Sequence, residues 1–228
     1  MGFTIGAKRQ FRLPGPDARR SRRSGPAGLS TAVAEYTGVR GWDVVPGARA
    51  VRRPGALAAC SCGSPACRAP GAHPVDDRLT VPAGATPEQA RHAWSRAPGA
   101  AVLLPTGSAF DVLDVPAAAG LLALPRLERM GVPLGPVAAA PHGRAWFLVA
   151  PGAAAELPQL LYRMGWDGAA LDLRALGPGE HITAPPSDHA GLGPVRWLRP
   201  PGAGGTPPPP ARLLLGTLAY CSRRPHAA

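Results

Sequence analysis

The chain has 228 residues, of which 45% are hydrophobic, enough to bury the core of one medium-sized domain. Its formal net charge of +11 favours acidic partners such as nucleic acid, and its 30 prolines and 29 glycines predict short elements with long connections. No apolar run reaches the roughly 18 residues of a membrane span, so we expect a soluble cytoplasmic protein without a membrane partner.

The N-terminal segment, residues 1–28, is predicted to be a disordered basic arm. Seven Lys or Arg residues and one Asp stand there among Gly, Pro and Ser, with few apolar side chains to bury. Such an arm could neutralise phosphates and strengthen nucleic-acid binding. A solubilising tail, or an upstream start codon that is not the true one, explains the segment equally well, and the three interpretations stay open.

The next part of the chain predicts short elements. A helix begins near Ser30 and leads into a strand at residues 43–45. Thr86, Pro87 and Glu88 are typical of the start of a second helix, because Thr caps the first turn and Pro tolerates its first position.

Strands and helices alternate irregularly over the remaining residues, which favours an α+β fold. Strands are predicted around AAVLLP and FDVLDV and at residues 171–174 and 181–184; helices at 117–130 and 156–166; and a hairpin turn at 141–143. We expect a main domain at residues 29–200, a Pro/Gly-rich linker at 201–210, and a C-terminal region at 211–228. The final helix, 211–222, either docks on the body or projects to contact a protein partner.

The stretch ACSCGSPACRAPGAHPV, residues 59–75, predicts a metal site. Cys60, Cys62, Cys67 and His73 supply a Cys₃His set, typical of a closed structural zinc site. The Cys-x-Cys spacing is less usual than Cys-x₂-Cys. Free thiols, or a disulfide involving Cys221, are the alternatives, although disulfides are rare in a reducing cytoplasm.

Several segments resemble one known family in order and spacing. They are RGWDVVPG, HAWSRAPGAAVLLPTG, FDVLDV, HGRAWFLV and LDLRALGPGEHITAPPS, and they are similar to the bifunctional DNA primase/polymerase domain of the archaeo-eukaryotic primase superfamily over about residues 29–200. The resemblance implies an RRM-like core plus a small α/β unit, here with an inserted Cys/His zinc loop. It also implies template-directed nucleotide joining by two divalent metal ions, Mg²⁺ or Mn²⁺.

The resemblance places three catalytic motifs on this chain. Asp114 falls on the first carboxylate of an Asp-x-Asp motif, and Pro116 stands where the second should be. Ala145 follows Gly-Arg where the family has a nucleotide-binding histidine, and Asp172 matches the third motif. Two of these positions are therefore lost, and we expect a degenerate member without polymerase activity and without a need for Mg²⁺ or Mn²⁺.

Two nearby acids and one nearby histidine are the candidate substitutes for the lost residues. Asp111 or Glu180 could replace the missing carboxylate and keep the enzyme active. Alternate residues of a strand point to opposite faces, so Asp111 is expected on the face opposite Asp114. By the same count from Ala145, His142 is expected on the wrong face.

The partner expected for the degenerate cleft is nucleic acid, with DNA the expected form. Arg144, Arg174 and Arg196 are the candidate phosphate-binding residues. Asp114 and Asp172 could still bind one Mg²⁺ weakly, or could form ion pairs with Arg144 or Arg174, and both interpretations stay open. Three tryptophans could stack on bases or, as is more usual for large rings, fill the core; they are Trp146, Trp166 and Trp197.

Three classes of function remain. The first is a catalytically silent nucleic-acid-binding or regulatory protein, which the lost motif residues favour. The second is an active primase or polymerase with replacement carboxylates. The third is a protein-interaction module that uses the C-terminal helix.

Overall fold

The computed structural model describes residues 26–51, 59–76, 78–202 and 206–223. The predicted basic arm lies outside these residues, except for its last three, which belong to the first helix. The helix therefore begins earlier than the predicted start near Ser30. Proline is tolerated at its first position, because the first N–H groups of a helix have no partner within it.

Five α-helices lie in the described residues. They are α1 (Pro26–Ala34), α2 (Pro87–Ser95), α3 (Ala117–Arg129), α4 (Ala153–Arg163) and α5 (Arg212–Ser222), and α1 continues as a π-helical stretch, Glu35–Val39. The predicted cap of α2 is present: Thr86 Oγ1 accepts from Gln89 N at 3.2 Å, and Gln89 Oε1 accepts from Thr86 N at 2.8 Å.

The strands pair antiparallel throughout. They are β1 (Val45–Gly47), β2 (Ala50–Val51), β3 (Ala59–Cys60), β4 (Ala101–Pro105), β5 (Asp111–Pro116), β6 (Val137–Ala140), β7 (Arg144–Val149), β8 (Arg174–Leu176), β9 (His181–Thr183) and β10 (Arg196–Arg199). One sheet has the order β1-β4-β9, the larger sheet has the order β10-β6-β7-β5-β8, and β2 pairs with β3. The predicted mixed α and β class is confirmed.

The five-stranded sheet is covered on both faces. Val112 and Leu148 belong to one core, which includes residues of α1 and β4, whereas Leu113 and Phe147 belong to a second core, which includes residues of α3 and α5. Successive residues of β5 therefore enter different cores, as the alternation of a strand requires. A charged side chain on this strand is taken out of water on either face and needs a partner.

The predicted linker at 201–210 is packed against the body in the part that the structure describes near α5. Pro208 and Pro209 are buried, and Ala150 N donates to the carbonyl of Pro209 at 2.8 Å. Helix α5 docks rather than projects, since Leu214 and Leu218 enter the core shared with α3.

The end of α5 also fixes the segment before β8. The strand predicted at residues 171–174 begins only at the last of these, because the segment before it bonds to the chain after α5 instead. Leu171 forms an isolated bridge with Arg223, and Asp172 N donates to the carbonyl of Ser222 at 3.0 Å. The position of Asp172 therefore depends on the docked C-terminal helix.

Candidate functional site

The Cys/His loop brings its four predicted ligands together. One ligand atom from each of Cys60, Cys62, Cys67 and His73 lies within 4.8 Å of every other. Cys60 Sγ and His73 Nε2 lie 3.3 Å apart. A tetrahedral ion with metal–sulfur bonds of about 2.3 Å places its ligand atoms under about 4 Å apart, so this cluster could hold one metal ion after small movements.

Hydrogen bonds prepare these side chains to bind a metal. His73 Nδ1 donates to the carbonyl of Pro74 at 2.7 Å, which leaves Nε2 as the free ligand atom. Burial opposes ionisation of the Cys60 thiol, but hydrogen bonds from Cys62, Gly71 and His73 outweigh it and lower its pKa to about 6. Desolvation and the neighbouring thiols raise the pKa of Cys67. The cluster thus contains one thiolate-forming cysteine beside a correctly oriented imidazole.

The loop is anchored to the body on two sides. Gly71 has a φ of +71°, and a Cβ atom there would lie 2.5 Å from the Cβ of Ala50 in β2. On the other side, His181 Nε2 at the start of β9 bonds to the carbonyl of Ala72 at 2.9 Å. Metal binding would therefore stabilise contacts with both small sheets.

Cys221 takes no part in this cluster. It lies on α5, where Arg126 Nη1 of α3 contacts its sulfur at 3.2 Å, and all four cysteines are free thiols. The disulfide alternative involving Cys221 is thus wrong.

A second polar cluster is built on the central strand β5. Asp114 is fully buried, yet both of its carboxylate oxygens accept from arginines: Arg144 Nε bonds Oδ1 at 2.8 Å, and Arg174 Nε bonds Oδ2 at 2.7 Å. The arginines come from β7 and β8, the two neighbours of β5 in the sheet. These ion pairs are the alternative that the sequence left open for Asp114.

Arg144 joins this buried carboxylate to Asp172. Its Nη1 donates to Asp172 Oδ1 at 2.8 Å, and its Nη2 donates to the carbonyl of Asp114 at 3.2 Å. Burial lowers the pKa of Arg144, but the two carboxylates outweigh it, and the net shift is upward. The guanidinium is therefore held charged between the two acids.

The register of β7 corrects one assignment made from the sequence. Ala145 pairs with Val115, so its side chain lies on the face that packs against α3, where a Cβ on Gly120 would come within 2.5 Å of Ala145 Cβ. Arg144 pairs with Pro116 and lies on the face of Asp114. A histidine at position 145 would not share a face with Asp114.

His142 was expected on the wrong face, and that expectation is wrong. It lies in the turn between β6 and β7, where Asp114, Arg144 and Arg174 are close enough to affect its pKa. Burial is the largest influence and lowers that pKa; Asp114 opposes it, and the two arginines reinforce it. Counting alternate residues still places His142 opposite Ala145; the expectation failed because Ala145 itself lies on the face opposite Asp114.

A histidine pair adjoins the acid–arginine cluster. The rings of His142 and His189 stack with their centroids 4.3 Å apart, and Trp146 lies 5.7 Å from each. His189 Nδ1 is 2.8 Å from the hydroxyl of Thr183 in β9. The stack thus joins the two larger sheets. The sequence did not predict this pairing, because the histidines are 47 residues apart and come together only through the fold.

Thermal stability is expected to fall as the pH drops from about 6.5 towards 4. The pKa of His189 is lowered to about 4, chiefly by burial and in addition by the neighbouring His142 and His181. In that pH window the unfolded chain binds a proton at His189 and the folded chain does not, so acid favours unfolding. Differential scanning calorimetry between about pH 4.5 and 7.5 checks this. His189→Gln should flatten the dependence of the melting temperature on pH. His92→Gln, at an exposed site on α2, should leave that dependence unchanged. The same dependence in the native protein and in His189→Gln would contradict the prediction.

The two candidate replacement acids have other partners. Asp111 is buried on the face opposite Asp114, as expected, and its Oδ2 accepts from Ala154 N at 2.9 Å, at the start of α4. Glu180 Oε2 accepts from Gly177 N at 2.9 Å within the turn before β9. Asp111 therefore caps a helix, and Glu180 holds a turn.

The three candidate phosphate-binding arginines do not form one surface. The side chain of Arg174 is 65% exposed and that of Arg144 is 18% exposed, both on the face of Asp114. Arg196 pairs with Ala139, which in turn pairs with Ala145, so it belongs to the α3 face. The predicted groove lined by all three residues is therefore wrong in its geometry.

The three tryptophans named in the sequence differ in how deeply they are buried. Trp146 is 4% exposed, and Trp197 is partly buried against the core that contains Trp42 and Tyr36. Trp166 is partly exposed after α4. The core interpretation is therefore confirmed for Trp146, whereas Trp166 and Trp197 keep part of their surface in solvent.

Residues 34–212 match the family described as bifunctional DNA primase/polymerase, N-terminal. Because the match spans well over half of the chain and includes both clusters, this protein belongs to that family of DNA primase/polymerase-like domains. Family membership implies an interaction with nucleic acid. Neither a curated protein nor a solved structure gives a significant match. None of the helices in the described residues is both long and apolar enough to span a bilayer.

Proposed function

We propose that this chain is a catalytically silent primase/polymerase domain that acts by binding nucleic acid, with DNA the expected form. The observation that carries the proposal is the pairing of buried Asp114 with two arginines. An active site for phosphoryl transfer by two metals needs several carboxylates close together, because their combined negative charge holds the ions. Here the strand supplies one carboxylate, and two guanidinium groups neutralise it.

Mg²⁺ or Mn²⁺ does not fit this arrangement. Both oxygens of Asp114 are engaged by N–H donors, and one oxygen of Asp172 accepts from Arg144. Pro116 contributes no ligand at the second motif position. A cation entering here would have to displace a guanidinium from a fully buried carboxylate. The second class of function, an active polymerase, would also need an acid other than Asp111 or Glu180, since both are used elsewhere.

Arg174 is the residue on this face best placed to contact a phosphate. Its Nε is bound to Asp114, but most of its side chain is exposed. Arginine carries five N–H donors, so the donors other than Nε can bind a phosphate oxygen of a nucleic acid. The net charge of +11 adds a sequence-independent attraction.

We also propose that the metal of the Cys₃His cluster is zinc in a structural role. Three thiols and an imidazole match the ligand preference of zinc, and four protein ligands leave no position for a reacting water. The binding energy of such a site is folding energy, since the ligands must be gathered and deprotonated together.

Binding of a fluorescent single-stranded oligonucleotide, measured by anisotropy over a series of salt concentrations, tests the nucleic-acid proposal. The native protein should bind with a steep salt dependence. Arg174→Gln should weaken binding several-fold and reduce the slope of the log–log plot by about 0.7, the value for one phosphate contact on a single strand.

Arg196→Gln is the matched control, because Arg196 is also exposed but lies on the α3 face. It should bind as the native protein does. Equal losses of affinity in the two variants would contradict binding at the Asp114 face, and an absence of salt-sensitive binding would refute the proposal.

Template-dependent primer extension with Mg²⁺ or Mn²⁺ would refute catalytic silence separately.

A further inference from the structure

An open groove runs between α3 and α5 on the side of the molecule away from the Asp114 cluster. It encloses about 380 Å³ and is lined by Arg126, Arg129, Met130, Gly216, Thr217 and Tyr220. The two helices are held together beneath it by buried residues of the second core. Gly216 leaves the floor open, since a Cβ there would meet no atom within 4 Å.

Apolar side chains on both walls face solvent. Met130 is 66% exposed and Tyr220 is 61% exposed, although both are large and hydrophobic. Leu122 on α3 and Leu213 on α5 are also exposed. A contiguous apolar surface rimmed by charge typically marks an interaction site.

The charge around the groove is positive. Arg126 lies over the ring of Tyr220, with its guanidinium carbon 5.7 Å from the ring centroid, and Arg129 follows it by one turn. No acidic side chain is among the lining residues. The nearest acid along α3, Glu128, pairs with Arg199 of β10 at 3.4 Å.

We propose that this groove binds an acidic amphipathic helix of a partner protein. The apolar face of such a helix would lie against Met130, Tyr220 and the open position at Gly216, and its carboxylates would meet Arg126 and Arg129. Helix-in-groove recognition depends on apolar anchors spaced three to four residues apart on the bound helix, and these anchors would contact Met130 and Tyr220.

Charge and chemistry argue against other occupants. The N-terminal segment of this chain is strongly basic, so the arginines would repel it. Nucleic acid would gain phosphate contacts from Arg126 and Arg129 but nothing from the exposed leucines and methionine. A small molecule would remain largely in water, because the groove is open along its length.

A labelled synthetic peptide of about 16 residues, with Leu or Phe at positions i, i+3, i+4 and i+7 and Glu elsewhere, tests the proposal by anisotropy with the full chain. The native protein should bind it with micromolar affinity and bind a sequence-scrambled peptide at least about tenfold more weakly. Gly216→Leu should fill the groove and weaken binding at least about tenfold without unfolding the protein, since leucine fits there and favours a helix. Arg129→Glu should weaken it similarly.

Gly168→Leu and Arg91→Glu are matched controls away from the groove. Gly168 has open space around its Cβ position, and Arg91 is exposed on α2. Both should bind the peptide as the native protein does. The proposal is overturned if the native protein does not bind the peptide, or if Gly216→Leu binds it equally well. It is also overturned if single-stranded DNA displaces the peptide and loses affinity in the same two groove variants, which would make the groove a nucleic-acid site. This outcome is independent of the Arg174 test.

Discussion

Asp114→Ala is expected to lower the free energy of unfolding by about 3 kcal/mol, the lower end of the cost of breaking a buried ion pair. The side chain is fully buried, and its loss leaves Arg144 with only Asp172 and a backbone carbonyl as partners. Arg174 loses its carboxylate partner too, but its exposed side chain can be solvated by water. The expected loss of stability is therefore at the lower end of the range for buried ion pairs. Urea denaturation followed by fluorescence measures the change.

Asp172→Ala is the control for this prediction. The Asp172 side chain is 33% exposed and forms an ion pair with Arg144, so we expect a loss of about 1 kcal/mol or less, typical of solvent-accessible pairs. Equal losses of unfolding free energy in the two variants would show that the buried Asp114 carboxylate contributes no more to stability than the exposed Asp172. A stable Asp114→Ala protein would contradict the structural role of this carboxylate and would reopen a role in metal binding.

Cys62→Ser is expected to weaken metal binding more than about 100-fold, since changes even outside the direct ligands cost up to that factor. That loss corresponds to about 2.8 kcal/mol at 1.4 kcal/mol per factor of ten. The midpoint of thermal unfolding should fall accordingly, because the loop is anchored to β2 and to β9. Mass spectrometry of metal content and calorimetry of the same sample measure both effects.

Cys221→Ser provides the matched control, because Cys221 lies on α5 outside the cluster. It should keep about one zinc ion per chain, as a single four-ligand site requires. Zinc bound at the native level by Cys62→Ser would contradict the assigned ligand set, and equal melting temperatures for native protein and Cys62→Ser would contradict a structural role.

Local sequence signals predicted most of the elements. Thr86 and Pro87 marked the start of α2, and the turn at 141–143 separated β6 from β7, because caps and turns depend on residues a few positions apart. The metal cluster was equally predictable, since all four ligands fall within one loop. The predicted strand at 171–174 was misplaced because its partner, the chain after α5, is distant in sequence.

The sequence by itself determined the family, the α+β class and the Cys₃His set, because each depends on residue types and on short spacings. Only the tertiary structure decided what surrounds Asp114. Its two arginines come from neighbouring strands 30 and 60 residues away, and the pairing register places Arg144 rather than Ala145 on its face. Motif spacing identifies which residue types are present, but the face and the partner of a side chain on a buried strand depend on register and on the turns that set it.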